Sequence, residues 1–288
     1  MRLSLENYIL RNRFGEEEAI KMAKEAGFDA IDYSYYWLDE NSEILGENYL
    51  EYAKNVKKLL EKYGLVCNQA HAPFDLKYDD NLDMSNEKYL CLVRSIEAAG
   101  LIGAENIVVH TIHMPENSEK GFWEYNQNFY KGLAPFAQKA GIKIAVENLF
   151  CRDSKRQCIS RQGRLATPEM LSRFVKELGT DNFSACIDLG HAAISGTEPE
   201  DFICGMEKGL IKALHVQDTD YLDDRHTIPY AAKHNWQNIT RALKDYGYSG
   251  DLTFETLKFI QGFPDKLMPK CLEFMASIGR YLIDLIEN

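Results

Sequence analysis

Short apolar stretches of strand length alternate with amphipathic stretches from one end of the chain to the other, and no other feature narrows the fold as far. The runs "RLSLENYI" (2–9), "DAIDYSYY" (29–36), "LVCNQAHAP" (65–73), "NIVVHTI" (106–112), "KIAVENL" (143–149), "FSACIDLGHA" (183–192), "IKALHVQD" (211–218) and "DLTFETL" (251–257) make eight candidate strands. The last six are nearly continuous in apolar residues, as suits strands buried on both faces of a parallel sheet. Helical periodicity fills 15–27, 48–64, 86–103, 167–179, 235–247 and 268–288. Several of these segments close on Gly, the residue that caps a helix in the left-handed conformation. "TPEM" puts Thr167 at an N-cap, Pro168 at the first helical position and Glu169 in the first turn.

No Pro-, Gly- or Ser-rich linker interrupts the alternation. Right-handed βαβ crossovers repeated eight times predict an α/β fold, the closed (β/α)₈ TIM barrel, as a single domain over 1–288; an open doubly wound sheet is the alternative. A barrel of this kind commonly occupies about 250 residues as one unit.

Composition bounds the function classes. Lys and Arg number 33 against 44 Asp and Glu, a net charge of −11, so the average field repels polyanions and disfavours nucleic acid as a partner. Seven cysteines without a CxxC pair read as free thiols in a reducing compartment. The start "MRLSLENYILRNRF" is too polar for a signal peptide, and no apolar run approaches the ~20 residues of a membrane span. A cytoplasmic protein with no membrane association is expected.

The chemistry gathers where the later strands stop. The third ends at His71, the fourth at His110, the fifth at Glu147, the sixth at Asp188 with His191, the seventh at His215 and the eighth at Glu255. In a barrel these ends open onto one face, where active sites sit. One polar terminus needs only solvent to explain it. Six consecutive strands ending in His, Asp or Glu, with Ser, Thr, Asn and Lys absent from these places, point to a metal site. Mixed imidazole and carboxylate ligands suit Mn²⁺, Zn²⁺, Co²⁺ or Fe²⁺ better than the all-oxygen preferences of Ca²⁺ and Mg²⁺. A divalent cation also relieves the repulsion between neighbouring buried carboxylates. Past the seventh strand, Asp224 and His226 form an Asp-x-His pair around Arg225, whereas Asp218, Asp220 and Asp223 read as a solvated turn. His113 and His234 lie off the strand ends and read as bystanders.

Taken together, "AHAPFD", "VVH", "AVENLF", "CIDLGHA", "LHVQDTD", "DDRHTIP" and "LTFETL" follow the order and approximate spacing of the xylose isomerase-like TIM barrel superfamily, which the chain resembles over essentially its whole length. That superfamily holds sugar phosphate isomerases and epimerases, inosose dehydratases and isomerases, ketose 3-epimerases and type IV apurinic endonucleases. The resemblance implies that Glu147, Asp188, His215 and Glu255 hold one divalent metal ion (Mn²⁺, Zn²⁺, Co²⁺ or Mg²⁺). His191 and Arg225 resemble substrate-binding residues, and His71, His110, Asp224 and His226 complete the substrate-facing set. In the endonucleases the equivalents of His71, His110, Glu147, Asp188, His191, His215, Asp224, His226 and Glu255 share three zinc ions, so the ligand set alone does not separate repair enzyme from sugar enzyme.

Other segments favour the sugar enzymes. "EAGFDAIDYSYYWL" resembles their "GFDGIE" opening, with Asp32 facing the site, while the endonuclease's Gly-rich motifs after the fifth strand and after "DRH" are missing. "PYAAKHNW" (229–236) departs from the "PGxGxIDW" of many sugar enzymes, which bears on substrate contacts. The implied activity is isomerisation or epimerisation of a sugar, sugar phosphate or cyclitol through a metal-stabilised enediolate, with Glu147 and Glu255 moving the proton. A dehydratase or other lyase, an abasic-site nuclease and a non-catalytic sugar-binding protein are the alternatives, and a homo-oligomer is left open. Arg152, Lys155, Arg156, Arg161 and Arg164 form either an anion clamp or a solvated lid. Tyr33, Tyr35, Tyr36 and Trp37 either stack on a sugar or pack against the first helix or a partner subunit.

Overall fold

A computed structural model describes residues 1–114, 119–153, 158–160 and 165–288, with 119, 151–153 and 158–160 described by their backbone alone. Each apolar run becomes a strand of the barrel: β1 Leu3–Glu6, β2 Ala30–Ser34, β3 Val66–His71, β4 Asn106–Val109 and β5 Lys143–Glu147. A short antiparallel hairpin, β6 Cys151–Asp153 with β7 Cys158–Ser160, follows β5. The barrel then resumes with β8 Phe183–Asp188, β9 Ile211–His215 and β10 Leu252–Phe254. Among the described residues, eight strands pair in parallel in the order β10-β1-β2-β3-β4-β5-β8-β9. The ring closes through Val216, whose N–H donates to Thr253 O (2.8 Å) and whose carbonyl accepts from Glu255 N (3.2 Å). These are the eight strands of a (β/α)₈ TIM barrel, built at the positions the alternation marked.

The helices are α1 Tyr8–Phe14, α2 Glu16–Ala26, α3 Tyr49–Tyr63, α4 Glu87–Ile102, α5 Glu119–Ala140, α6 Pro168–Leu178, α7 Leu189–Ile194, α8 Pro199–Gly205, α9 Trp236–Tyr246, α10 Leu257–Gln261 and α11 Met268–Glu287. Thr167 Oγ1 accepts from Met170 N at 3.3 Å, the cap that "TPEM" announces. Helix α5 is absent from the helices expected on periodicity, although it runs for 22 residues. Pro135 lies inside it, a residue that normally ends a helix by removing a donor and crowding the preceding turn. Burial of Phe122, Phe129, Tyr130, Leu133 and Ala137 carries the helix past that defect.

The core lies between strands and helices, and the barrel's own interior is filled from below. Val108, Ala145, Cys186 and Ala213 form a small apolar plug. A polar layer links three strands, Ser4 Oγ donating to Asn68 Oδ1 (2.6 Å) and Asn68 Nδ2 to Thr253 Oγ1 (3.1 Å). This filling leaves room for functional side chains only at the C-terminal ends of the strands. Among the described residues, no helix is long and apolar enough to cross a membrane.

Candidate metal centre and active site

Strand alternation aims the last inward residue of β5, β8 and β9 at the barrel axis, and the residue just past β4 and β10 joins them. Glu147, Asp188, His215 and Glu255 are all buried there. His215 is the hub: its Nδ1 lies 3.1 Å from Glu147 Oε1 and 3.3 Å from Glu255 Oε2. Its other ring nitrogen faces Asp32 Oδ2 at 3.7 Å, and that oxygen also accepts from Gln69 Nε2 at 2.6 Å. His110 Nε2 stands 2.9 Å from Glu147 Oε2 and 3.1 Å from His71 Nε2. His191 Nδ1 approaches Glu147 Oε1 at 3.3 Å, and His226 Nε2 meets Asp224 Oδ2 at 2.7 Å.

The ligating atoms fall into overlapping triads: His71, His110 and Glu147; His71, His215 and Glu255; Glu147, Asp188 and His191; and His191, Asp224 and His226, each set within 4.8 Å. The four ligands implied by the resemblance are thus split between two triads, each completed by a histidine.

Several site residues were not picked out from the sequence. Asn148 Nδ2 donates to Asp188 O (3.0 Å), its Oδ1 accepts from Asp188 N (2.8 Å), and its carbonyl lies 3.0 Å from His191 Nδ1. Gln217 Nε2 bridges Asp188 Oδ2 and Asp224 Oδ1, both at 2.9 Å, while Gln217 Oε1 accepts from His226 N (2.8 Å). Gly190 makes room for that bridge, since a Cβ there would sit 2.6 Å from Gln217 Cδ. The signal for both was adjacency, "EN" and "HVQ", read past because amides are not strong ligands. Glu6, buried at the end of β1, was also missed; burial, with Asp32 and Glu255 nearby, pushes its carboxyl well above the usual range.

The surrounding residues sort the remaining expectations. Asp218 is no solvated turn residue: fully buried, it accepts from Lys233 N and His234 N (both 3.0 Å), Ala232 N (3.2 Å) and Trp236 Nε1 (2.9 Å). Asp220 does cap a turn, accepting from Leu222 N and Asp223 N, and Asp223 is exposed. Arg225 is turned out of the metal centre onto Asp220 Oδ2 (2.5 Å) and lines an adjoining cavity of about 1020 Å³ with Lys233 and Lys258. His113 is exposed, and His234 is buried beside Asp218 and Trp236, both away from the triads. Tyr33 and Tyr35 pack together in the core, with the Tyr33 hydroxyl donating to Glu16 Oε2 (2.6 Å). Tyr36 and Trp37 reach the mouth instead. Tyr36 donates to Glu255 Oε1 and packs edge-on against His71, and Trp37, 62% exposed at φ 49°, meets Tyr8 and Phe74. Lys155, Arg156, Arg161 and Arg164 lie outside the described residues, as does the Arg152 side chain.

Above the triads is a cavity of about 420 Å³. Its lining mixes His71, His110, Glu147, His191, His226 and Glu255 with aromatic rings packed against them, Tyr36 and Phe74 on His71 and Phe150 on His191. Burial disfavours the Glu147 charge, yet His215, His110 and His191 outweigh it and hold its carboxyl well below the usual range. Burial pushes Glu255 upward, with Asp188 and Glu147 adding to the effect against His215 and His226. His110 is driven down to about 4 by burial, whereas His191 is held well above its ordinary value despite burial, by Asp188, Glu147 and Asp224.

The donor set fits a divalent cation. Glu255 Oε2, Asp32 Oδ1 and His215 Nε2 are buried without a hydrogen-bond partner. Among the described ion pairs of Glu147, Asp188, Glu255 and Asp32, none involves Lys or Arg. Buried carboxylates whose described ion-pair partners are all imidazoles are the environment a metal relieves.

A (β/α)₈ barrel with carboxylates and imidazoles converging at the C-terminal ends of its strands defines a class of catalytic scaffold. Within it, residues 20–278 match the family model described as xylose isomerase-like TIM barrel, and the chain belongs to that family. It is 30% identical to an uncharacterized protein of Methanocaldococcus jannaschii over 73% of this chain and 71% of that one. An uncharacterized protein of Mycobacterium tuberculosis is 25% identical over 83% of each chain. Among solved structures, a D-tagatose 3-epimerase-like protein superposes with a TM-score of 0.76 at 22% identity, covering 100% of this chain and 98% of the other. A D-psicose 3-epimerase crystallised in the presence of D-fructose gives 0.72 at 16% identity, covering 98% and 99%. At these identities the structural likenesses speak to the fold.

Proposed function

We propose that the protein is a divalent-metal-dependent isomerase or epimerase that moves a proton next to the carbonyl of a sugar, sugar phosphate or cyclitol. The observation that carries this reading is the pair Glu147 and Glu255, whose carboxylates approach His215 Nδ1 at 3.1 and 3.3 Å and line a cavity shared by histidines and aromatic rings. Glu147, Asp188, His215 and Glu255 would hold the ion, with His71 and His191 at its sides. A bound divalent cation supplies Lewis acidity, easing proton loss beside a carbonyl.

The chain's own residues do the rest. Glu147 and Glu255 reach the hub from two different strands, β5 and the end of β10, so that one would take the proton and the other return it; return to the neighbouring carbon isomerises and return to the opposite face epimerises. Tyr36 orients Glu255 through its hydroxyl, and Asn148 and Gln217 fix Asp188. Tyr36, Trp37, Phe74 and Phe150 exclude water and offer aromatic faces to the C–H side of a sugar. The ketose 3-epimerases among the structural neighbours support ketoses as the first probes.

The test is solvent deuterium exchange into D-tagatose, D-psicose, L-ribulose and inososes, with the chelated protein reloaded in turn with Mn²⁺, Zn²⁺, Co²⁺ or Mg²⁺. Metal-dependent exchange that Glu147→Gln abolishes is expected. Exchange that survives in Glu147→Gln would overturn the two-glutamate mechanism, and binding without exchange would favour a sugar-binding protein. The triad His191, Asp224 and His226 favours one second reading, a three-zinc abasic-site nuclease. Its requirements are three bound ions and cleavage of an abasic duplex.

A further inference from the structure

Helix α11 carries two apolar stripes. The inner one, including Met268, Leu272, Met275, Leu282 and Ile286, is buried against the rest of the fold. The outer one runs through Phe274, Ile278, Tyr281 and Leu285, a 4-3-4 spacing that keeps one face of a helix apolar. Phe274 and Tyr281 are 57% and 51% exposed, and Leu267 just before the helix is 51% exposed. Tyr230 widens the patch: it is 52% exposed, its ring centre lies 6.3 Å from that of Tyr281, and it adopts φ 70°, a conformation costly for a bulky residue. Exposed apolar side chains scattered singly need no explanation, whereas an aligned set of aromatics marks an interaction surface.

The charges beside the stripe say what covers it. Lys270 and Asp284 each lie seven residues from Ser277, one on either side, and so on the same edge of the helix. An antiparallel copy placed on a two-fold axis at Ser277 and Ile278 sets Lys270 against Asp284 of the partner subunit, and the symmetry repeats the pair. Within one residue of that register, Phe274 lies beside Tyr281 of the partner subunit and Ile278 lies beside the axis. In a parallel copy the same edge of the two helices would fall on opposite sides of the contact, so Lys270 would not meet Asp284 of the partner subunit. Among the described residues, Lys270 pairs with Glu273 on its own helix, at 2.7 Å and in solvent, a link cheap to exchange. Because the chain carries a net charge of −11, two copies repel on average, and only a face with local complementarity overcomes that.

We propose that α11 is the contact face of an antiparallel homodimer, its occupant a second copy of this chain. Tyr230 belongs to the connection between β9 and α9 that also carries Asp224, Arg225 and His226, so the dimer braces the rim of the candidate site.

Sedimentation velocity of the full chain from about 1 to 100 µM tests this. A dimer is expected, with Phe274→Glu combined with Tyr281→Glu giving a monomer of unchanged circular dichroism and melting temperature, since both residues are exposed. Lys270→Glu should raise the dimer Kd about tenfold or more, and Lys270→Glu with Asp284→Lys should restore it to within about threefold. A wild-type monomer at about 100 µM overturns the proposal. So does a dimer indifferent to the aromatic variants, or one weakened by Lys270→Glu that the charge swap fails to rescue.

Discussion

Glu255→Gln should stabilise the metal-free protein and blunt its response to metal, two effects of opposite sign from one atom. Glu255 is buried, and its Oε2 has no hydrogen-bond partner. Burial, then the charges of Asp188 and Glu147, raise its carboxyl above the ordinary value despite His215 and His226. An acid whose folded pKa is raised disfavours folding wherever it is ionised in both states, and that penalty vanishes as pH falls through the folded value. A pKa moved tenfold in proton affinity corresponds to about 1.4 kcal/mol. Gln keeps the shape, and its Oε1 can still accept from Tyr36. The chelated variant is therefore expected to be more stable at pH 7 than the chelated wild type, with a higher Tm. Wild type at a metal concentration a hundredfold above Kd gains about 2.7 kcal/mol by mass action. If losing this ligand weakens binding about a hundredfold, the variant gains only about 0.4 kcal/mol under the same conditions. Differential scanning calorimetry of chelated and metal-supplemented protein, paired with a calorimetric metal titration, measures both effects. A variant more than about 1 kcal/mol less stable without metal, yet equally responsive to it, would refute the reasoning.

Asp218→Ala takes the acceptor from Ala232 N, His234 N and Trp236 Nε1, while Lys233 N keeps Thr219 O (3.2 Å), and should cost about 2–4 kcal/mol in chemical denaturation; a loss below about 1 kcal/mol would mean the connection after β9 relaxes freely. In chelated protein, His226 is raised to about 9, burial opposing and Glu255 and Asp224 prevailing. Its charge thus stabilises the fold fully below about pH 6.5 and ceases to do so as pH rises through about 9, a change of about 3 kcal/mol. Denaturation in chelator at a series of pH values should show the gap between wild type and His226→Asn closing over that window, and a pH-independent gap would count against a charged His226. Gly100→Ala puts a Cβ 2.5 Å from the Ala140 carbonyl and should destabilise by about 1–3 kcal/mol as α4 is pushed off α5. Gly132→Ala, where the nearest atom is Tyr89 Oη at 3.6 Å, should instead stabilise by about 0.5–1 kcal/mol, so equal effects at the two sites would contradict the packing argument.

The barrel and the convergence of its His, Asp and Glu side chains were legible because both depend on features that recur in step along the chain. A strand buried on two faces leaves an apolar run, and a ring of parallel strands turns the ends of those runs into neighbours, so His71, His110, Glu147, Asp188, His215 and Glu255 could be grouped before any distance was known. What escaped depends on partners brought in by the fold. Asp218 looks like its acidic neighbours, and only the return of residues 232–236 past it turns it from a solvated residue into a buried acceptor. Arg225 sits between two residues of the His191 triad, yet φ 41° at His226 and the pull of Asp220 send its side chain the other way. Helix α5 was hidden by Pro135, since local propensity argues against a helix that tertiary burial enforces.

Charge balance at the mouth shows the same division between local and assembled information. The chain has an excess of acids over bases, which by itself says only that polyanions are poor partners. The fold concentrates part of that excess, Asp32, Glu147, Asp188, Asp224 and Glu255, around a set of imidazoles, and brings up Lys258, whose ammonium donates to the Asp224 carbonyl at the rim. Imidazole can share a proton with a carboxylate or give up its lone pair to a cation, whereas Lys and Arg can do only the first. Among the described ion pairs of Asp32, Glu147, Asp188 and Glu255 the partners are histidines, with Lys258 reaching only Asp224 at the rim, and imidazole counter-charges leave those four carboxylates free to ligate a cation in the way that lysine or arginine partners would not.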